Sequence, residues 1–137
     1  MLAHLRTRFP ILFGCFILFF GIFIAEHFGI YDHVAHFDKI MHVLGGLAVG
    51  WVAMALLQND IARLPWYKQL LIITSIACFV GVVWEFAEHL ANGLRYSHPM
   101  IYRYYHGGDL TDTLGDILAD IIGGALFALW ALWRERN

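Results

Sequence analysis

Charge is scarce in this chain, and cysteine and proline scarcer still. Only 15% of its 137 residues are Asp, Glu, Lys or Arg, while 60% are hydrophobic. That balance is too apolar for an ordinary soluble domain and points to a membrane protein. No basic tract is present, so there is no electrostatic footprint for nucleic acid. The two cysteines, Cys15 and Cys78, lie in separate apolar runs. A thiol-redox enzyme wants a close pair, so that chemistry is set aside and both read as small buried or lipid-facing side chains. The apolar runs lack period-two alternation, which argues against a barrel. The length suits one compact helical bundle and leaves no room for a separate soluble domain.

Four apolar runs are present, each with roughly the 20 residues a helix needs to cross the hydrocarbon core. Span one is expected from about Pro10 to Ile30, with proline at a tolerated first-turn position. The others are expected from about Asp38 to Leu57, Tyr67 to Asn92, and Asp109 to Trp133. The fold class is therefore all-α: a polytopic membrane protein with four transmembrane helices in a single bundle. Arg6 and Arg8 ahead of the first run give it the look of a signal peptide. The run is longer than a typical leader and no small-x-small site follows, so it reads as an uncleaved span. Six of the nine Lys/Arg (Arg6, Arg8, Arg63, Lys68, Arg134, Arg136) lie at the termini and the second loop. Lys39, Arg95 and Arg103 lie on the first and third loops. The positive-inside rule then puts both termini in the cytoplasm. Trp66, Trp130 and Trp133 suit the inner interface, and Tyr31, Tyr96, Tyr102, Tyr104 and Tyr105 the outer one. Gly46 and Gly50 form a GxxxG step, and Gly81, Gly123 and Gly124 are also placed for close helix packing.

The acids are distributed in the opposite sense to the bases. Nine of the eleven acidic residues and seven of the eight histidines fall near the outer ends of the spans, some within the apolar runs. Ionisable groups at membrane depth are costly and by default mark function. Span four opens G-G-D-L-T-D-T-L-G-D-I-L-A-D. Asp109, Asp112, Asp116 and Asp120 fall within an arc of about 80° on one helical face and descend about 16 Å. Helix capping and the dipole account for Asp109 and Asp112 as readily as function does. Asp116 and Asp120 lie beyond the first turn and need protons, partners or a cation. Glu85, Glu88 and His89 share a face at the end of span three, with Glu85 about 10 Å inside it. Asp38 and His42 form an i,i+4 pair at the start of span two, and Glu26 and His27 end span one.

Carboxylates this close in a low-dielectric site cannot all ionise. Either some stay protonated, as in a relay, or a divalent cation neutralises them. Mixed imidazole and carboxylate ligands suit Zn, Mn or Fe, and oxygen ligands suit Mg or Ca. The expected ligand set is Asp38, His42, Glu88, His89, Asp109, Asp112 and Asp116, with Glu85 or Glu88 as general base. The long third loop carries Arg95, Arg103 and Tyr104, which suit an anionic head group. The same loop also reads as an interfacial aromatic belt. His33 and His36 read as solvated, and His4 carries no assignment.

The order D-x-x-x-H, E-x-x-E, G-D-x-x-D-T-x-x-D resembles the YjdF-like family of small bacterial inner-membrane proteins. The matching residues are Asp38 and His42, Glu85 and Glu88, and Asp109, Asp112, Thr113 and Asp116. More distantly the chain is similar to VanZ-like proteins, which share a D-K-x-x-H-type start and are associated with the response to glycopeptide antibiotics. His89 and Asp120 lie outside the pattern. The resemblance implies a helical inner-membrane protein and supplies no reaction.

The leading expectation is a metal-dependent hydrolase acting on a lipid or lipid-linked substrate at the outer leaflet. A proton- or cation-coupled transporter is the alternative. Four spans make a thin pathway for one and no internal repeat is visible, although a homo-oligomer would ease the size problem. A non-catalytic protein with a structural polar network is a third reading. Haem held by His42 and His89 is a remote fourth, because haem pockets do not need so many acids.

Overall fold

In a computed structural model, the chain is described at residues 2–25, 27–94, 96–101 and 108–136. Among the described residues, five α-helices and one π-helical segment follow in order: α1 (Leu2–Phe19), the π segment (Phe20–Ala25), α2 (Ile30–His33), α3 (Phe37–Ile61), α4 (Trp66–Gly93) and α5 (Leu110–Arg136). Four of these are long and apolar enough to cross a membrane, over Arg8–Ala25, Phe37–Ile61, Trp66–Gly93 and Leu110–Arg134. They run up and down, packed together as the expected all-α bundle. Large apolar side chains such as Phe79, Phe86, Leu90 and Leu118 stand outward, more than half exposed. In water that surface would be a liability, whereas against lipid tails it is the expected exterior.

Two local expectations are corrected. Pro10 is not in a first turn: α1 begins at Leu2, so the proline lies inside the helix, where it is almost fully buried. Hydropathy marks where a membrane could begin, whereas the helix starts in the polar segment ahead of it. Span one also does not continue unbroken to Ile30. The helix widens to π geometry at Phe20, and Gly29 adopts a left-handed conformation (φ 62°) before α2 starts. Glycine enters that region without a Cβ penalty, which lets the chain turn there.

The bundle has two unlike ends. At the end carrying the termini, Met54, Ile61, Ile73, Phe127 and Leu132 form an apolar core shared by α3, α4 and α5. Trp51 stacks on Phe127 with ring centroids 6.0 Å apart, and Phe9 and Phe13 pack on Trp51 from α1. At the other end the same three helices also bury polar side chains: His42, Glu85, Asp116 and Asp120. Glycines set how closely these helices approach. A Cβ on Gly46 of α3 would collide with the backbone oxygen of Asp120, and one on Gly123 of α5 with the backbone oxygen of Val43. The two backbones are therefore nearly in contact, as small residues permit in membrane bundles.

Candidate functional site

The site is built from the first turns of α3 and α5 and the last turns of α4. His36 precedes α3 with φ 58°, a left-handed conformation in which histidine is among the better-tolerated side chains. It sets the direction of the helix whose next turn carries Asp38, Lys39 and His42. Asp109 caps α5, its Oδ1 accepting the backbone N–H of Asp112 at 3.0 Å. One of the two dull readings of the acidic stripe thus holds for Asp109, which is exposed.

Asp112 does something else. The Lys39 ammonium reaches across from α3 and donates to Asp112 Oδ1 at 2.5 Å and to Asp116 Oδ1 at 2.6 Å. It lies 3.7 Å from Asp38 Oδ2 as well. Its stem crosses Gly115, where an added Cβ would sit 3.1 Å from Lys39 Cε. In the sequence Lys39 reads only as a loop charge that helps to orient the spans. The signal that could have found it was its place one residue after Asp38, at the start of an apolar run that faces a stripe of acids. A cation there with no bulk water on one side takes the nearest carboxylates.

His42 is buried at the centre. Its Nδ1 pairs with Asp120 Oδ2 at 3.0 Å. Its Nε2 lies 3.8 Å from Glu85 Oε1, 3.8 Å from Asp116 Oδ1 and 3.9 Å from Asp38 Oδ1. Those separations exceed a hydrogen bond. A carboxylate on Nδ1 favours the tautomer with its proton there, which leaves the Nε2 lone pair facing the three oxygens. Asp120, which the family pattern omits, is therefore a positioning residue for the imidazole. Gly81 of α4 makes its seat, since a Cβ there would fall on the Asp120 carboxylate.

Glu85 is buried, and its Oε1 has no hydrogen-bond partner among the described residues. Glu88 Oε1 accepts the Trp84 indole N–H at 2.7 Å. His89 is exposed and, with Glu85, Glu88 and Thr113, lines a recess of about 30 Å³ beside the cluster. The structure thus brings Asp38, His42, Glu85, Asp112 and Asp116 together and sets Glu88 beside them. His89 and Asp109 stand at the exposed margin. His42 and His89, one buried and one exposed, do not form an axial pair. Arg95, Arg103 and Tyr104, like Glu26, Tyr102 and Tyr105, lie outside the described residues. His33 and His36 are exposed, and His33 Nδ1 is bonded to the Gly29 carbonyl at 2.7 Å.

The donor set fits a divalent cation. One ligand atom each from Asp38, His42 and Asp116 lies within 4.8 Å of the others. A tetrahedral ion with bonds of about 2.1 Å wants its ligands about 3.4 Å apart, so side-chain rotations that draw the set in by up to about 1.4 Å would close it on an ion. Charge points the same way. Asp38, Glu85, Glu88, Asp112, Asp116 and Asp120 outnumber Lys39 and His42, even with the imidazole protonated. This cluster also heads a cleft of about 1030 Å³ that reaches far down α3.

A family model described as "Predicted membrane protein (DUF2238)" matches residues 1–137. That is the YjdF-like family to which the motifs point. No curated protein and no solved structure matches, and nothing in the comparisons supports the more distant VanZ-like likeness.

Proposed function

The chain belongs to the DUF2238 family of membrane proteins, and on that premise we propose that it is a membrane hydrolase using a divalent cation on a lipid or lipid-linked substrate. The observation that carries the reading is the convergence of His42 Nε2 with oxygens of Asp38, Glu85 and Asp116 at 3.8–3.9 Å, none of them hydrogen-bonded to it. Asp38, His42 and Asp116 would hold the ion, with Asp120 fixing the imidazole. A bound divalent ion would supply Lewis acidity and draw water toward hydroxide at neutral pH. Glu85, whose Oε1 lacks a hydrogen-bond partner among the described residues, would take a proton as general base, with Glu88 beside it. Arg95, Arg103 and Tyr104 of the following loop are assigned to the substrate's anionic group on their chemistry alone. The bias of six basic residues among nine supports both termini in the cytoplasm and the site facing outward, and the likeness to small bacterial inner-membrane proteins supports that membrane.

Elemental mass spectrometry on detergent-purified protein tests the site. The expected result is one or two divalent ions per chain in wild type, lost in both His42→Ala and Asp116→Asn. A wild-type protein that retains no metal after soaking and washing would sink the hydrolase reading and send the buried acids to proton-flux assays. The orientation has its own check. A C-terminal fusion to alkaline phosphatase should be inactive and a C-terminal green fluorescent fusion bright; the reverse pattern would invert the topology.

A further inference from the structure

The cleft below the cluster has a definite shape. Its floor is one face of α3, where Asp38, His42, Gly45, Val49, Val52 and Leu56 recur every three to four residues. Ile17 and Leu18 of α1 form one wall, and Val80, Val83 and Trp84 of α4 the other. α1 packs on α3, and α3 on α4, while α1 and α4 make at most a marginal contact with each other. The space between them therefore opens sideways, toward the bilayer. From Asp38 to Leu56 the floor extends about 27 Å. That is close to the roughly 30 Å of a hydrocarbon core.

The lining changes character along this length. Asp38, His42, Glu88, Asp112 and Asp120 border the head of the cleft, and below Gly45 every α3 residue that borders it is apolar. We infer that the cleft holds the hydrocarbon chain of a membrane lipid, which enters sideways between α1 and α4 and brings its head group to the Asp38–His42 end. The proposal rests on the hydrolase reading and deepens it, since it makes the substrate an amphiphile drawn from the bilayer. Polar and apolar portions of such a molecule match the two portions of the lining. A helix of a second copy matches them less well. The outward faces of this chain are apolar at that depth, as at Phe79, Phe86 and Leu90. Seated in the cleft, such a face would strip water from the carboxylates and return no cation.

The test uses the full-length protein in phosphatidylcholine vesicles that contain a trace of phosphatidic acid with a photoactivatable diazirine midway along one acyl chain. Cross-links, mapped by peptide mass spectrometry, are expected to concentrate at Val49, Val52, Val80 and Val83. Excess unlabelled phosphatidic acid should compete them away. Val52→Trp, which fills the cleft from its floor well below the cluster, should cut that labelling at least tenfold and leave cation loading unchanged. Val83→Trp fills it from the α4 wall and gives an independent plug should the first variant fail to fold. Labelling spread evenly over outward residues such as Phe79 and Leu118 would overturn the proposal. So would plugs that change nothing. Competable cleft labelling in a protein that holds no metal would keep the cleft and discard the hydrolase reading, so the two can fail separately.

Discussion

Replacing Lys39 with methionine should tighten divalent-cation binding at the cluster by roughly tenfold to a hundredfold. The ammonium donates to Asp116 Oδ1 at 2.6 Å, and that carboxylate is also one of the three groups that would hold the ion. Lysine is thus a tethered cation that competes for a shared oxygen and repels any second cation placed beside it. Two unit charges about 4 Å apart interact by about 4 kcal/mol at an effective dielectric of about 20. The Lys39 side chain is 29% exposed, so solvent screening removes part of that. What remains is about 1.4–2.8 kcal/mol, where each 1.4 kcal/mol is a factor of ten. Methionine keeps the length and apolar stem that cross Gly115 and removes only the charge. The same change leaves Asp112 and Asp116 without a counter-ion, so the variant should melt lower than wild type in chelator. Added cation should restore it, because a ligand that binds only the folded state stabilises that state by mass action. Isothermal titration with Mn²⁺ and Zn²⁺, alongside melting curves with and without chelator, reads both effects. A folded Lys39→Met protein that binds cation more weakly would show that the lysine builds the site instead of competing for it.

Much of this arrangement is legible in the sequence, because two kinds of period are. Hydropathy over windows of about 20 residues locates four helices, and their observed ends at α3, α4 and α5 differ from the expected ones by a few residues at most. Spacings of four put Asp112, Asp116 and Asp120 on one face of α5, and that face meets Lys39 and His42. Pairings between helices are harder to see. Nothing in the D-K dipeptide tells whether Lys39 turns to solvent or into the bundle; that depends on how close α5 comes, which Gly115 helps to decide. Asp120 falls outside the family pattern, and its role appears only once His42 is found beside it with Gly81 leaving room. The cleft is the least legible feature. It exists because α1 leans on α3 without closing onto α4, a relation between elements far apart in sequence. The depth of Glu85 in its helix is legible from spacing, but an Oε1 left without a hydrogen-bond partner among the described residues is a property of the packed state alone.

Gly46→Val is expected to be the most damaging single change outside the ligand set, and the reason lies in backbone geometry. An added Cβ would collide with the Asp120 carbonyl oxygen and stand 2.8 Å from the carbonyl carbon and Cα of the same residue. Backbone cannot rotate away as a side chain can, so α3 and α5 must separate. The helices are locked from the other direction too, where Gly123 faces the Val43 backbone. Separation stretches the contacts that assemble the site, first the His42–Asp120 pair at 3.0 Å and then Lys39 to Asp116 at 2.6 Å. Overpacking of this kind costs about 3 kcal/mol or more, since there is no cavity into which the excess can go. β-branching adds a small loss of helix propensity. The variant should therefore purify poorly or melt at least several degrees lower, and lose bound cation with its ligands intact in sequence. Gly45→Ala is the matched control. Its new Cβ meets only Asp120 Oδ1, at 3.7 Å, an ordinary contact, so both melting temperature and cation content should stay near wild type. If Gly46→Val melts and loads like wild type, α3 and α5 are not in the contact described, and the cluster at their outer ends loses its structural basis.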